Sequence, residues 1–192
     1  PGGEFLLIFV NIGVMYWAIR GFGAEAQAGY GIGSRVMQAI FLPAMALAFA
    51  AAPLAGQNFG ARAYDRVRET FKTAAIQGSA IMFVLTLVCQ WRSDAFIAFF
   101  TDDLQVVTVG ADFLRIISWN FVATGIIFTC SSVFQGMGNT MPALMSAGTR
   151  LLTFVVPAIW MSQQSWFELN HIWYLSVGTA GLHALFSVWL LM

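Results

Sequence analysis

Apolar residues fall in six long runs, at 5–19, 26–55, 71–91, 114–134, 144–161 and 172–192, separated by short segments rich in Gly, Pro, Asp and Arg. None sustains the period-two alternation of a half-buried strand, so each reads as a helix. A bilayer crossing takes about 20 apolar residues, and backbone facing lipid must satisfy its own hydrogen bonds. The pattern predicts an all-α membrane protein: a single six-transmembrane-helix bundle occupying residues 1–192. The second run is too long for one straight crossing. Pro43 should kink it and Pro53 should mark its exit. Pro142 suits the first turn of the fifth helix, and Pro157 should bend that helix near its far end.

Composition agrees with this pattern. Of 192 residues, 59% are hydrophobic and 9% charged, with mean hydropathy +0.75, against about 25% charged in a soluble domain. Six crossings use roughly 120 residues, which leaves no room for a soluble domain. Membrane lipid is therefore the first partner. The zero net charge offers nucleic acid no electrostatic footprint. Cys89 and Cys130 lie in apolar runs without metal-like spacing and read as small buried hydrophobes. No metal site, catalytic residue or cofactor is expected. Pro1 is not an initiator methionine and Met192 ends inside an apolar run, so the chain reads as cut at both ends.

Charge gives an orientation. The loop at 56–70 carries Arg62, Arg66 and Arg68, with Lys72 beyond it, and basic loops stay on the cytoplasmic side. Counting crossings then puts both ends and the 136–141 turn in the cytoplasm, with segments 21–25, 92–112 and 162–171 outside. Trp17, Trp91, Trp119, Trp160, Trp166 and Trp173 all fall near the predicted outer ends, as an interfacial aromatic belt would, and Trp189 lies near the inner face. An integral location in the cytoplasmic (inner) membrane is the expectation.

Polar residues within spans carry the functional signal, because they face protein or a cavity. Asn120, Thr124, Ser131 and Gln135 share one narrow face of the fourth helix. Gly31, Arg35, Gln38, Leu42 and Met45 share a face of the second, and Asn11 stands alone on the first. Either face lines a water-filled path or bonds neighbouring helices. Arg35 and Arg150 are read as reaching the outer and inner interfaces respectively by snorkelling. Gly29, Gly31, Gly33 and Ser34 mimic a phosphate loop, but no strand precedes them and close helix packing is the better account. Gly2-Gly3-Glu4-Phe5 spells most of a cyclic-dinucleotide synthase signature without any nucleotide-binding domain to carry it.

Two motifs carry a family resemblance. Tyr30-Gly31-Ile32-Gly33-Ser34-Arg35, then Phe41-Leu42-Pro43, then Pro53-Leu54-Ala55-Gly56-Gln57-Asn58-Phe59-Gly60-Ala61 resembles the second helix of a lobe in the multidrug and toxic compound extrusion (MATE) family, prokaryotic DinF/NorM-like. Phe134-Gln135-Gly136-Met137-Gly138-Asn139-Thr140-Met141-Pro142 resembles that family's turn between the fourth and fifth helices of a lobe. The turn residues are Gly56, Gln57, Asn58 and Gly60 in one motif, and Gln135, Gly136 and Gly138 in the other. Both fall where charge had already placed cytoplasmic turns. The resemblance implies the C-terminal lobe of a twelve-helix transporter, partnered by a missing N-terminal six-helix lobe. It further implies an antiporter coupled to H+ or Na+ that exports amphiphilic, often cationic small molecules by alternating access. Cavity candidates are then Asn11, Met37, Gln38, Phe41, Met45, Asn120, Thr124 and Ser131, the methionines being adaptable contacts. In the NorM-like branch this lobe carries intramembrane carboxylates, where the motif alignment here gives Thr124 and the neighbourhood of Ile8. The coupling carboxylate is therefore expected in the other lobe.

Two other classes compete. Six-helix intramembrane serine proteases pair a serine on the fourth helix with a histidine on the sixth, which Ser131, Ser132 and His183 mimic without the Gly-flanked nucleophile. An oligomeric pore would carry a repeated charged or carbonyl-lined filter, and no such segment is visible.

Overall fold

The computed structural model describes residues 2–191, leaving aside the side chains of Gly2, Glu4 and Phe5. Seven α-helices follow in order: α1 (Gly2–Ile19), α2 (Ala24–Gly60), α3 (Tyr64–Ala98), α4 (Leu104–Ile117), α5 (Phe121–Gly136), α6 (Met141–Ser162) and α7 (Leu169–Leu191). Single 3-10 turns lie at Arg20–Phe22 and Ser118–Asn120, the second joining α4 to α5 as one rod. Counted so, five rods are long and apolar enough to cross a membrane, and Leu6–Phe22 forms a shorter apolar one. The chain is a bundle of six membrane rods.

α2 is the hub, packed on α3, α4 and α5, while α6 packs on α1 and α7. α7 joins the two groups through α4 and α5. The main core, with Ile19, Tyr30, Phe41, Met82, Phe113, Phe121, Phe154 and Trp173, fills the region between them. Smaller clusters around Ala55 and Val133, and around Cys130 and Phe134, close the end that bears the basic turn. Both cysteines are buried and free.

Several boundaries differ from those the sequence pattern predicts. α2 runs seven residues beyond Pro53 to Gly60, and both of its prolines are exposed; a proline costs one backbone bond and a ring clash, which a long packed helix can absorb. The basic segment is largely helical, since α3 begins at Tyr64 and leaves Arg66 and Arg68 exposed on either side of buried Val67. α4 begins ten residues before the predicted span. Asp103 caps it, Oδ1 accepting from the backbone of Gln105 (2.9 Å) and Val106 (3.3 Å). α3 is bent at Arg92 (φ −131°, ψ 30°), with no proline to announce it.

Trp173 is corrected outright: it is fully buried rather than part of an interfacial belt. It stacks on Tyr30 (5.6 Å, 12°) and meets Phe113 edge-on (4.9 Å). Trp17, Trp91, Trp119, Trp160 and Trp166 are exposed, as a belt requires. Sequence position sets the depth of a tryptophan in a helix, whereas the side of the helix it occupies decides whether it meets lipid or core.

Glycines set the closest approaches. A methyl group on Gly33 would lie 2.5 Å from the Phe113 ring, and one on Gly29 would lie 3.0 Å from the Gly110 amide nitrogen. The small-residue run of α2 is a packing surface for α4.

Candidate functional site

The two motif turns meet. A methyl group on Gly56 would lie 2.5 Å from the Gly136 carbonyl oxygen, and one on Gly136 would run into the Ala52 carbonyl. Motifs eighty residues apart thus form one backbone-to-backbone contact at the end of α2 and α5. Neighbouring residues finish each turn: Asn58 Nδ2 donates to the Leu54 carbonyl (2.9 Å), and Gly138 takes φ +78°, a left-handed conformation that suits glycine. Gln57 and Gly60 are exposed beside them.

The proposed cavity residues divide into groups. Gln38 and Leu42 are exposed, Leu42 by 62%, and Met45 is half-buried; the rest of the bundle leaves this face of α2 uncovered. Phe41 is buried, edge-on to Phe121 (5.2 Å) and Phe128 (6.0 Å), and Met37 packs on the same core. Asn120 is buried and its Nδ2 donates to the Ser176 carbonyl of α7 (3.2 Å). Thr124, Ser131 and Asn11 are half-buried, and exposed Gln135 donates from Nε2 to Ser131 Oγ (3.1 Å).

A polar break in the fourth rod has no counterpart in the sequence reading. At Ser118–Asn120 the helix tightens to a 3-10 turn, and α3 supplies the bonding. Thr86 Oγ1 donates to the Ser118 carbonyl (2.9 Å), while Gln90 Nε2 donates to the Arg115 carbonyl (2.6 Å) and Ser118 Oγ (2.8 Å). Irregular backbone at membrane depth needs such partners.

Arg150 also departs from expectation. It is half-buried, its Nε is shut from solvent without a hydrogen-bond partner, and its charge acts on Tyr30 of α2 and His183 of α7. A single arginine two turns into a span can extend either way, and sequence does not choose. Arg35 is exposed. Among the described residues the ion pair is Asp112–Arg115 (3.7 Å), with both side chains about half exposed.

The hydrolytic arrangement is not assembled. Ser132 Oγ donates to the Ala48 carbonyl of α2, and His183 Nδ1 is buried without a partner. Two grooves score the surface. One, of about 490 Å³, lies between α2 and α3 near Leu54, Asn58, Arg66 and Glu69; the other, of about 680 Å³, lies between α6 and α7 near Thr153, Pro157, Leu175 and Thr179.

Comparison with known proteins agrees with this geometry. The family model described as MatE matches residues 3–161. The probable multidrug resistance protein YoeA of Bacillus subtilis is 23% identical over 91% of this chain, and the probable multidrug resistance protein NorM of Thermotoga maritima is 25% identical over 82%. The chain spans only 36% and 31% of those relatives' lengths. An outward-facing multidrug resistance MATE family transporter of the MOP superfamily superposes with a TM-score of 0.90 at 18% identity, covering 97% of this chain and 42% of that one. A MATE solved in complex with MaD3S gives 0.87 at 14%, covering 99% and 43%.

Proposed function

Because this chain belongs to the MatE family, we propose that it is one six-helix lobe of a multidrug exporter. In this reading it works in the inner membrane against a second lobe of the same protein. Both ends and segment 56–70 lie in the cytoplasm. Amphiphilic, often cationic compounds move through the cleft between lobes by alternating access, driven by H+ or Na+. The observation that carries the reading is the contact of Gly56 with Gly136, which joins both family motifs at one end of the bundle. The uncovered Gln38–Leu42–Met45 face of α2 is the surface turned to the cleft, with Thr124, Ser131 and Asn11 as further polar contacts. Partial length supports the need for a partner lobe.

Coupling is assigned to the other lobe. A coupling group is usually a buried carboxylate, and here Asp112 is committed to a surface pair with Arg115. The Glu4 side chain lies outside the described residues. The test is export of ethidium by the full-length protein in proteoliposomes under an imposed proton or sodium gradient. Export should follow one of the two gradients and persist in the Glu4→Gln, Asp112→Asn double variant. Loss of the gradient response in that variant, with insertion normal, would move coupling into this lobe; no gradient-driven export by the unmodified protein would end the reading.

A further inference from the structure

The α6–α7 seam has a register that can be read from one bond. Ser146 and Ser187 share a hydrogen bond of 2.6 Å between hydroxyls. The helices are antiparallel, so one turn along each from that pair sets Arg150 opposite His183. The electrostatic neighbours agree: Arg150 acts on His183 and on Tyr30, which approaches from α2. Tyr30 is itself stacked on Trp173.

Around this point the hydrogen bonds do not close. Arg150 Nε and His183 Nδ1 are buried without partners, as is Trp173 Nε1 farther along α7, while Ser34 Oγ faces the Tyr30 hydroxyl. Arg150 and Trp173 offer only donors, whereas Ser34 Oγ and His183 Nδ1 can donate or accept. The obligate donor left unmet at this level is the Arg150 Nε itself, part of a fixed positive charge. No carboxylate among the described residues pairs with the half-buried Arg150, and a cation drawn partly out of water is stabilised by an opposite charge.

We propose that this seam binds a monovalent anionic group, held by Arg150 and His183 with Tyr30 and Ser34 beside it. A groove between α6 and α7 lies about one turn farther along both helices, its wall formed by residues other than Arg150 and His183. Thr153, in its wall, donates to the Arg150 carbonyl (3.0 Å), and Thr179 lies one turn from His183. The rest of that wall is Pro157, Leu175, Gly178 and Leu182 with the Tyr174 ring. A free halide could enter through it, or the carboxylate of an amphiphile could reach in while its tail stays in the groove. Ser34 lies one turn before Gln38 on α2, so the site adjoins the face assigned to exported cations, but its test does not depend on that assignment.

The experiment measures the Tm of the purified natural protein in dodecyl maltoside at constant ionic strength. Chloride or bromide is compared with gluconate, and octanoate with octanol. A saturating anion should raise Tm by roughly 3 °C or more. Bromide acting identifies a free anion, and octanoate acting where octanol and bromide do not identifies an amphiphile headgroup. Arg150→Gln should abolish the shift and His183→Leu should weaken it severalfold. If Arg150→Gln does not accumulate, Arg150→Lys is read instead and should need severalfold more anion for the same shift. No shift from any anion, or equal shifts in wild type and the Arg150 variant, would overturn the proposal.

Discussion

Where α2 crosses α5, the helices meet backbone to backbone; where α6 runs beside α7, they meet through polar side chains. At the first crossing Gly56 and Gly136 leave no space for a methyl group, and Ser132 closes the gap with a bond to the Ala48 carbonyl. At the second, one serine pair is satisfied and the next turn holds Arg150 and His183 with unmet bonding capacity. Helices in lipid gain little from the hydrophobic effect on associating, so close packing and interhelical bonds hold them. The difference teaches what each seam can be used for. A seam closed by backbone contact is rigid and tolerates no added atom. A seam built from side chains can accept a ligand or re-pair.

That contrast ranks substitutions. Gly136→Leu should be the most damaging, costing about 3 kcal/mol or more because backbone atoms of Ala52 stand where the side chain would go; the fraction recovered as a monodisperse peak after detergent extraction should collapse. Gly33→Val should cost roughly 1–3 kcal/mol, since its obstacle is the Phe113 ring, which can turn. A lower Tm with protein still recovered is the expected outcome. Ser146→Ala should cost only about 0.6 kcal/mol, the average for a side-chain bond between membrane helices. Should Ser146→Ala lower Tm as far as Gly136→Leu depletes the protein, the two seams would not differ in kind. Gly178→Ala should be the mildest, because nothing lies within 4 Å of its added methyl and alanine favours the helix.

The same contrast shows what could be read from the chain. Gly56 and Gly136 were legible because glycine at a turn between apolar runs is a local signal, and their motifs kept order and spacing along the chain. The six rods were legible because bilayer thickness imposes a length on each run. Trp173 and Arg150 were misplaced for one shared reason. Position along a helix gives depth, but the direction of a side chain depends on which neighbour lies there. Trp173 faces Tyr30 and Phe113 on other helices, and Arg150 reaches Tyr30 and His183. The break at Ser118–Asn120 was illegible for a similar reason, since its bonding comes from Thr86 and Gln90 on α3. Arg150 and His183 are the ionisable residues deep within the fifth and sixth apolar runs, a pairing that antiparallel neighbours suggest.

The account stands most directly on incompleteness: this lobe supplies one wall of a cleft and needs another. Ethidium efflux from proteoliposomes decides it, measured under an imposed proton or sodium gradient for the 192-residue chain alone and for the full-length protein at equal inserted amounts. The full-length protein should export the dye while the chain alone inserts and stays at the level of empty liposomes. Gradient-driven efflux by the chain alone would contradict the half-transporter reading.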